Sequence, residues 1–178
     1  MAYARRDRTI FGVTSATTVT HDIGLLVLRL VVGLTMAGHG TQKLFGWFKG
    51  PGLSATGKGF SMSGYPAGDA MAVIAGLSET LGGLGLALGL LTPLAGAALT
   101  GTLINILAVR GLNTFFAPKG VELESVLFAA VIALTLTGPG RFSVDHLLPV
   151  LRESRPRYSV LGLVLGAVVG CVVLLIRD

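Results

Sequence analysis

The chain has 178 residues, of which 52% are hydrophobic and 13% charged, and its mean hydropathy is +0.76. That composition excludes an ordinary soluble domain and describes one small integral membrane domain. The net charge of +5 does not point to nucleic acid, because the basic residues lie at the ends of apolar segments and form no stripe interleaved with aromatics.

Residues 1–22 read as a polar, Thr-rich N-terminal tail. It has no apolar h-region and no small-residue cleavage pattern, so no removable signal peptide is expected and the first span acts as its own insertion signal. Five apolar segments follow, at 23–45, 70–91, 94–109, 121–137 and 160–176. A helix needs about 20 residues to cross a hydrocarbon core of about 30 Å, so the last three must borrow flanking residues or thin the bilayer locally. The expected fold is all-α: an integral membrane four-helix bundle over 23–147, then a linker and a fifth C-terminal transmembrane helix within 148–178.

Between the first two segments, residues 46–68 carry seven glycines together with Pro51 and Pro66. They read as a loop that cannot be a continuous helix. Its aromatics Trp47, Phe48, Phe60 and Tyr65 suit the headgroup zone, so it is either a lid folded over the bundle mouth or a surface loop with an aromatic belt. Thr92-Pro93 reads as a tight turn that pairs the second and third segments as an antiparallel hairpin. Arg5, Arg6, Arg8, Arg141, Arg152, Arg155 and Arg157 fall on one side of the membrane. Lys49, Lys58, Arg110, Lys119 and Arg177 fall on the other, a bias that puts the N-terminus in the cytoplasm and, with an odd number of crossings, the C-terminus outside. In the fifth segment Gly162, Gly166 and Gly170 form overlapping GxxxG patterns. They serve either packing within the chain or a homodimer. Cys171 reads as buried in the same run, and without a CxxC neither dithiol exchange nor a Cys-ligated metal is expected.

The informative residues are the ionisable ones inside these segments. A charge in hydrocarbon costs several kcal/mol (about 2.5–3.5 on insertion scales), so such residues face a bundle interior, pair, or line a substrate path. On the first span His39, Gln42 and Lys43 are spaced i, i+3 and i+4 and share one side of the helix. Glu79 lies roughly 14 Å into the second span and His39 roughly 9 Å from the end of the first, at neighbouring levels in alternating helices. Asn105 lies roughly 6 Å from the same rim, where Lys43, Arg110, Glu122 and Glu124 gather. Arg29 is about 21 Å from Lys43 along the helix. It either snorkels to headgroups or extends to Glu79 as a buried ion pair.

Imidazole exchanges protons near neutral pH, and a carboxylate in low dielectric binds its proton more tightly. Reducing a quinone builds negative charge on oxygen and then requires protons, which suits cationic donors beside such a carboxylate. His39, Lys43 and Glu79 are therefore the candidate catalytic residues, with Arg29, Gln42, Asn105, Glu122 and Glu124 as candidate substrate-binding residues. The pocket is expected between the first, second and fourth spans. The competing reading is that these charges only neutralise one another and hold the bundle together. A haem is not expected, since only His39 lies at membrane depth, and no metal or nucleotide motif is present.

Four stretches taken together resemble the DoxX family of bacterial membrane proteins: HGTQKLFGWFKGPG from His39, GLSETLGGLGLALGLLTPLA from Gly76, NTFFAPKGVEL from Asn113, and GPGRFSVD from Gly138. The resemblance covers residues 23–147 and implies a four-helix bundle in the bacterial inner (plasma) membrane. It also implies association with membrane oxidoreductases, including a subunit of thiosulfate:quinone oxidoreductase. Arg29, His39, Gly40, Lys43, Glu79, Gly82 or Gly83, Glu122, the turn at 138–141 and Asp145 match the family pattern. Asp145 is read as a cap for the helix that follows it. Glu124 is an added acid beside Glu122, and the fifth span lies outside the family core.

The leading expectation is a membrane subunit of a quinone-linked oxidoreductase that binds a quinone-like or small sulfur substrate. Two other readings stand beside it. One is a non-catalytic scaffold that docks a soluble redox protein through its loops, and the other is a small proton-coupled carrier, for which discontinuous-helix signals are missing. Membrane lipid is a partner on any of these readings, and nucleic acid is a partner on none.

Overall fold

A computed structural model of the chain describes residues 7–116, 120–148 and 156–177. Arg5, Arg6, Lys119, Arg152 and Arg155, which entered the orientation argument, lie outside the described residues. Six α-helices account for most of the described chain: α1 (Asp7–Phe45), α2 (Gly52–Met62), α3 (Gly68–Leu88), α4 (Thr92–Arg110), α5 (Glu122–Thr137) and α6 (Pro156–Leu175). Short 3₁₀ turns at Trp47–Lys49 and Asp145–Leu147 join them.

Residues 18–45 of α1, together with α3, α4 and α6, are long and apolar enough to cross a membrane. α5 has 16 residues and an equally apolar sequence, reaching about 24 Å. Large apolar side chains such as Val31, Leu34, Leu77, Leu81, Val164 and Val168 face outward. In water that surface would be unsustainable, and in a bilayer it is the lipid-facing belt. The protein is a multi-pass helical membrane bundle.

The core runs between α1, α3, α4 and α5, around Val32, Met36, Leu86, Leu99, Leu103, Val131 and Leu134. α1 and α3 form the closest pair. A Cβ built on Gly33 would lie 2.5 Å from Gly83 O, and one on Gly40 would lie 2.5 Å from Thr80 N. Only hydrogen at those positions lets the two backbones come so near, as is usual where membrane helices associate through small residues.

Four local expectations are corrected. The stretch read as a tail is helical from Asp7. The glycine-rich stretch between the first two spans contains the 11-residue helix α2. Glycine weakens an isolated helix by about 1 kcal/mol per residue, but here α2 packs on α3 with Gly57 at the contact. A Cβ there would come within 3.0 Å of Asp69 Cα, so the glycine that argues against helix in sequence permits the packing. The α3–α4 turn is made by Gly89 and Leu91, both at positive φ, while Thr92 and Pro93 open α4, where proline is at ease. Cys171 is exposed on the outer face of α6 rather than buried.

Gly162, Gly166 and Gly170 are covered by α4 of the same chain. A Cβ on Gly162 would lie 3.0 Å from Pro93 C, one on Gly166 2.9 Å from Ala97 Cα, and one on Gly170 3.0 Å from Gly101 Cα. The small-residue stripe is thus an intramolecular seam.

Candidate functional site

α1, α2, α3, α4 and α6 enclose a cavity of about 740 Å³ near the end of the bundle where α1 and α4 terminate. Its volume is in the range of small-molecule sites. Most of its wall is alkyl or aromatic, from Phe60, Met71, Ile74, Ile106, Val109 and Val173. Polar groups converge at one side.

There the i, i+3, i+4 spacing on α1 delivers His39, Gln42 and Lys43 to the same wall. His39 Nδ1 and Gln42 Oε1 are 3.1 Å apart. Gln42 Nε2 in turn donates to Phe48 O over 3.5 Å, which ties the short 3₁₀ turn to α1. Lys43 Nζ is ion-paired with Glu79 Oε2 across the close α1–α3 seam. The Lys43 side chain is 22% exposed and that of Glu79 is 0% exposed, so the ammonium faces the cavity and the carboxylate stands behind it. Glu79 Oε1 is buried and has no hydrogen-bond partner among the described residues. A buried carboxylate oxygen without a donor is costly.

α2 roofs the site with Ala55, Thr56, Gly59 and Phe60. Tyr65, between α2 and α3, is almost fully buried and packs edge-on against Phe60 at a centroid distance of 5.3 Å. Its hydroxyl donates to Asn105 Oδ1 at 2.8 Å, and desolvation raises the phenol pKa above its ordinary value. Asn105 Nδ2 donates to Gly101 O at 2.9 Å and to Gly170 O at 3.0 Å. One side chain therefore joins the roof, α4 and α6. Arg177 adds a second tie, donating to Ser63 O at 2.6 Å. Of the two earlier readings of the 46–68 stretch, the lid describes its placement: it is a fitted roof over the cavity.

His39, Gln42, Lys43, Glu79 and Asn105 thus meet at one cavity, while Arg29, Glu122 and Glu124 do not line it. Arg29 is buried at the other end of the bundle. It donates to Ala87 O at 3.2 Å and to the carbonyls of Pro139 and Phe142, so it neither snorkels nor reaches Glu79. The physical reason is distance along α1, combined with a nearer set of carbonyls in the turn after α5. Glu124 pairs with Arg110, which stands at the cavity rim, and Glu122 lies in the first turn of α5. No α5 residue lines the cavity. Its walls come from the first, second, third and fifth spans, which corrects the expected placement beside the fourth.

Asp145 also differs from expectation. It caps α4 rather than the helix after it, accepting from Leu91 N at 2.7 Å, Thr92 N at 2.9 Å and Thr92 Oγ1 at 2.7 Å. Sequence reasoning missed the roof residue Thr56 and the α6 wall of Val169, Gly170 and Val173, none of which carries a charge to mark it.

The DoxX family model matches residues 24–110. Residues 24–110 belong to the DoxX family. The matched stretch holds every polar residue of the cavity from His39 to Arg110, and it stops before α5 and α6. No curated protein and no solved structure matches the chain.

Proposed function

We propose that the protein is a membrane subunit of a quinone-linked oxidoreductase and that the cavity binds the quinone ring. The carrying observation is the cavity itself: apolar walls wide enough for a ring, with Lys43, His39 and the buried Glu79 gathered on one side. The association of DoxX proteins with membrane oxidoreductase roles supports this reading. The walls favour a quinone over a small sulfur anion, which would be poorly solvated among alkyl groups.

Reduction to the quinol takes two electrons, supplied on this reading by a redox-active partner subunit, and two protons. Lys43 opposes the negative charge that builds on the quinone oxygen. His39, held through Nδ1 by Gln42, keeps Nε2 for proton delivery. Glu79 holds Lys43 in place, and its second oxygen takes up a proton from outside and passes it on as the second proton of the quinol. In the cell the bundle lies in the bacterial plasma membrane with its N-terminus in the cytoplasm.

The test is quinone binding to purified protein by titration calorimetry. His39→Ala and Glu79→Gln are expected to abolish binding while the helical circular dichroism spectrum is retained. Unchanged affinity in both variants would refute the assignment. The scaffold reading is favoured by the exposed Trp47 and Phe48, at 57% and 73%. It requires the opposite result: intact behaviour at the cavity, with loss of partner co-purification when those two aromatics become alanine.

A further inference from the structure

The cavity is open toward the bilayer. α3 and α6 flank α4 and form no packed interface with each other, so a slot runs between them with α4 as its floor. Ile74 on α3 and Val169 on α6 stand at its two edges. Both line the cavity, and both are more than half exposed, at 54% and 51%, so they belong to the cavity wall and the lipid-facing surface together. The floor carries Ala98 and Thr102, whose hydroxyl is turned back onto Ala98 O at 3.0 Å, so the floor offers no free donor. From Ala97 to Arg110 the lined stretch of α4 rises about 20 Å, which is longer than a single ring requires. The polar groups lie toward the α2 end, and the slot extends from there along the hydrocarbon depth.

This arrangement is that of a site for an amphiphile dissolved in the membrane, with its ring at Lys43 and His39 and its chain leaving sideways. Resting on the quinone reading above, we infer that the ligand carries a long hydrocarbon tail, enters laterally from the bilayer, and lays the start of that tail in the α3–α6 slot. Water-soluble access is hindered at the other side, where α2, Phe60 and Tyr65 cover the ring position. The slot residues act on tail recognition and contribute nothing to the proton chemistry. A tail segment moved from detergent or lipid into a slot of alkyl groups gains contact and orientation, and that gain is sensitive to a bulky side chain placed across the opening.

Two probes separate ring from tail: 2,3-dimethoxy-5-methyl-1,4-benzoquinone, and the same ring bearing a decyl chain. The full chain and an Ile74→Trp/Val169→Trp variant are titrated with both in the same detergent. Both positions border lipid, so the added bulk does not have to enter a packed core. The expected result is that the variant loses about tenfold or more in affinity for the decyl compound, and that this loss is several times larger than its loss for the tail-less ring. Equal affinity of wild type and variant for the decyl compound would overturn the lateral slot while leaving the quinone site standing. Failure of either quinone to bind the wild type overturns the quinone reading itself. A third probe, decanoate, distinguishes a lipid acyl chain from a quinone tail. If decanoate binds as tightly as the decyl quinone and is equally sensitive to the two tryptophans, the slot is a lipid site and the inference fails.

Discussion

Arg29 and Lys43 lie on the same helix, both within hydrophobic sequence, yet their surroundings assign them different work. Lys43 has one charged partner and an open side toward a cavity. Arg29 is 3% exposed and spends its donors on carbonyls of Ala87, Pro139 and Phe142, which fastens α1 and α3 to the turn after α5. Guanidinium suits that task because its forked donors remain charged when buried and reach several acceptors at once. Removing it would leave two turn carbonyls and a helix carbonyl without a strong donor, each costing about 1–3 kcal/mol when buried. Arg29→Leu is therefore expected to lower stability by roughly 3 kcal/mol, read as a fall in melting temperature in detergent. Quinone affinity measured well below the transition should stay at the wild-type value. A large loss of affinity with unchanged melting would contradict this division of labour.

At the scale of elements, the α1–α3 seam determines whether Lys43 and Glu79 can meet. Gly40 lies one residue after His39 and three before Lys43, and a side chain there would collide with the Thr80 backbone, next to Glu79. Gly40→Val is expected to push the helices apart, cost about 1–3 kcal/mol through overpacking and abolish quinone binding. Gly38 provides the contrast, since a Cβ there meets nothing within 4 Å. Gly38→Ala should raise stability by up to about 1 kcal/mol and leave binding alone. Melting curves and titrations on the two variants separate the seam from a general intolerance of substitution in α1.

The same scale shows what could be read from sequence. The membrane-crossing helices were legible because hydrocarbon demands long apolar runs and the chain supplies them. His39, Gln42, Lys43 and Glu79 were legible because polar side chains in such runs stand out, and helical spacing places the first three together. α2 was not legible, since its helicity depends on glycines that become favourable only once α3 is beside them. Arg29 was misplaced because reasoning from sequence pairs charge with charge, whereas its partners are backbone carbonyls of a turn more than a hundred residues away. Glu124 was drawn to the site by depth alone and Glu122 by depth and the family resemblance, and depth does not say on which side of α4 a helix lies.

For the whole molecule, the decisive point is that the cavity is not contained in the stretch that matches the family model. The matched residues end at Arg110, yet Val169, Gly170 and Val173 of α6 complete the wall, and Asn105 donates to Gly170 O. Beyond Arg157 in its first turn α6 carries no charge and looks from its sequence like an anchor, but its glycine stripe seats it on α4 closely enough to close the cavity on that side. Without that seat the polar groups would face lipid directly, and the desolvated ion pair would lose the shaped surroundings that let it act on a ligand. Gly166 tests this away from every polar residue of the site. Its hydrogen faces Ala97, and any larger side chain there must lift α6 from α4. Gly166→Leu is expected to leave the helix content intact, reduce quinone affinity at least about tenfold, and weaken the Asn105–Gly170 tie that holds the roof. Cys171→Leu, on the exposed face of the same helix, adds comparable bulk toward lipid and should change neither affinity nor melting. If Gly166→Leu bound quinone as the wild type does, α6 would be an anchor after all, and the site would belong to the first four helices alone.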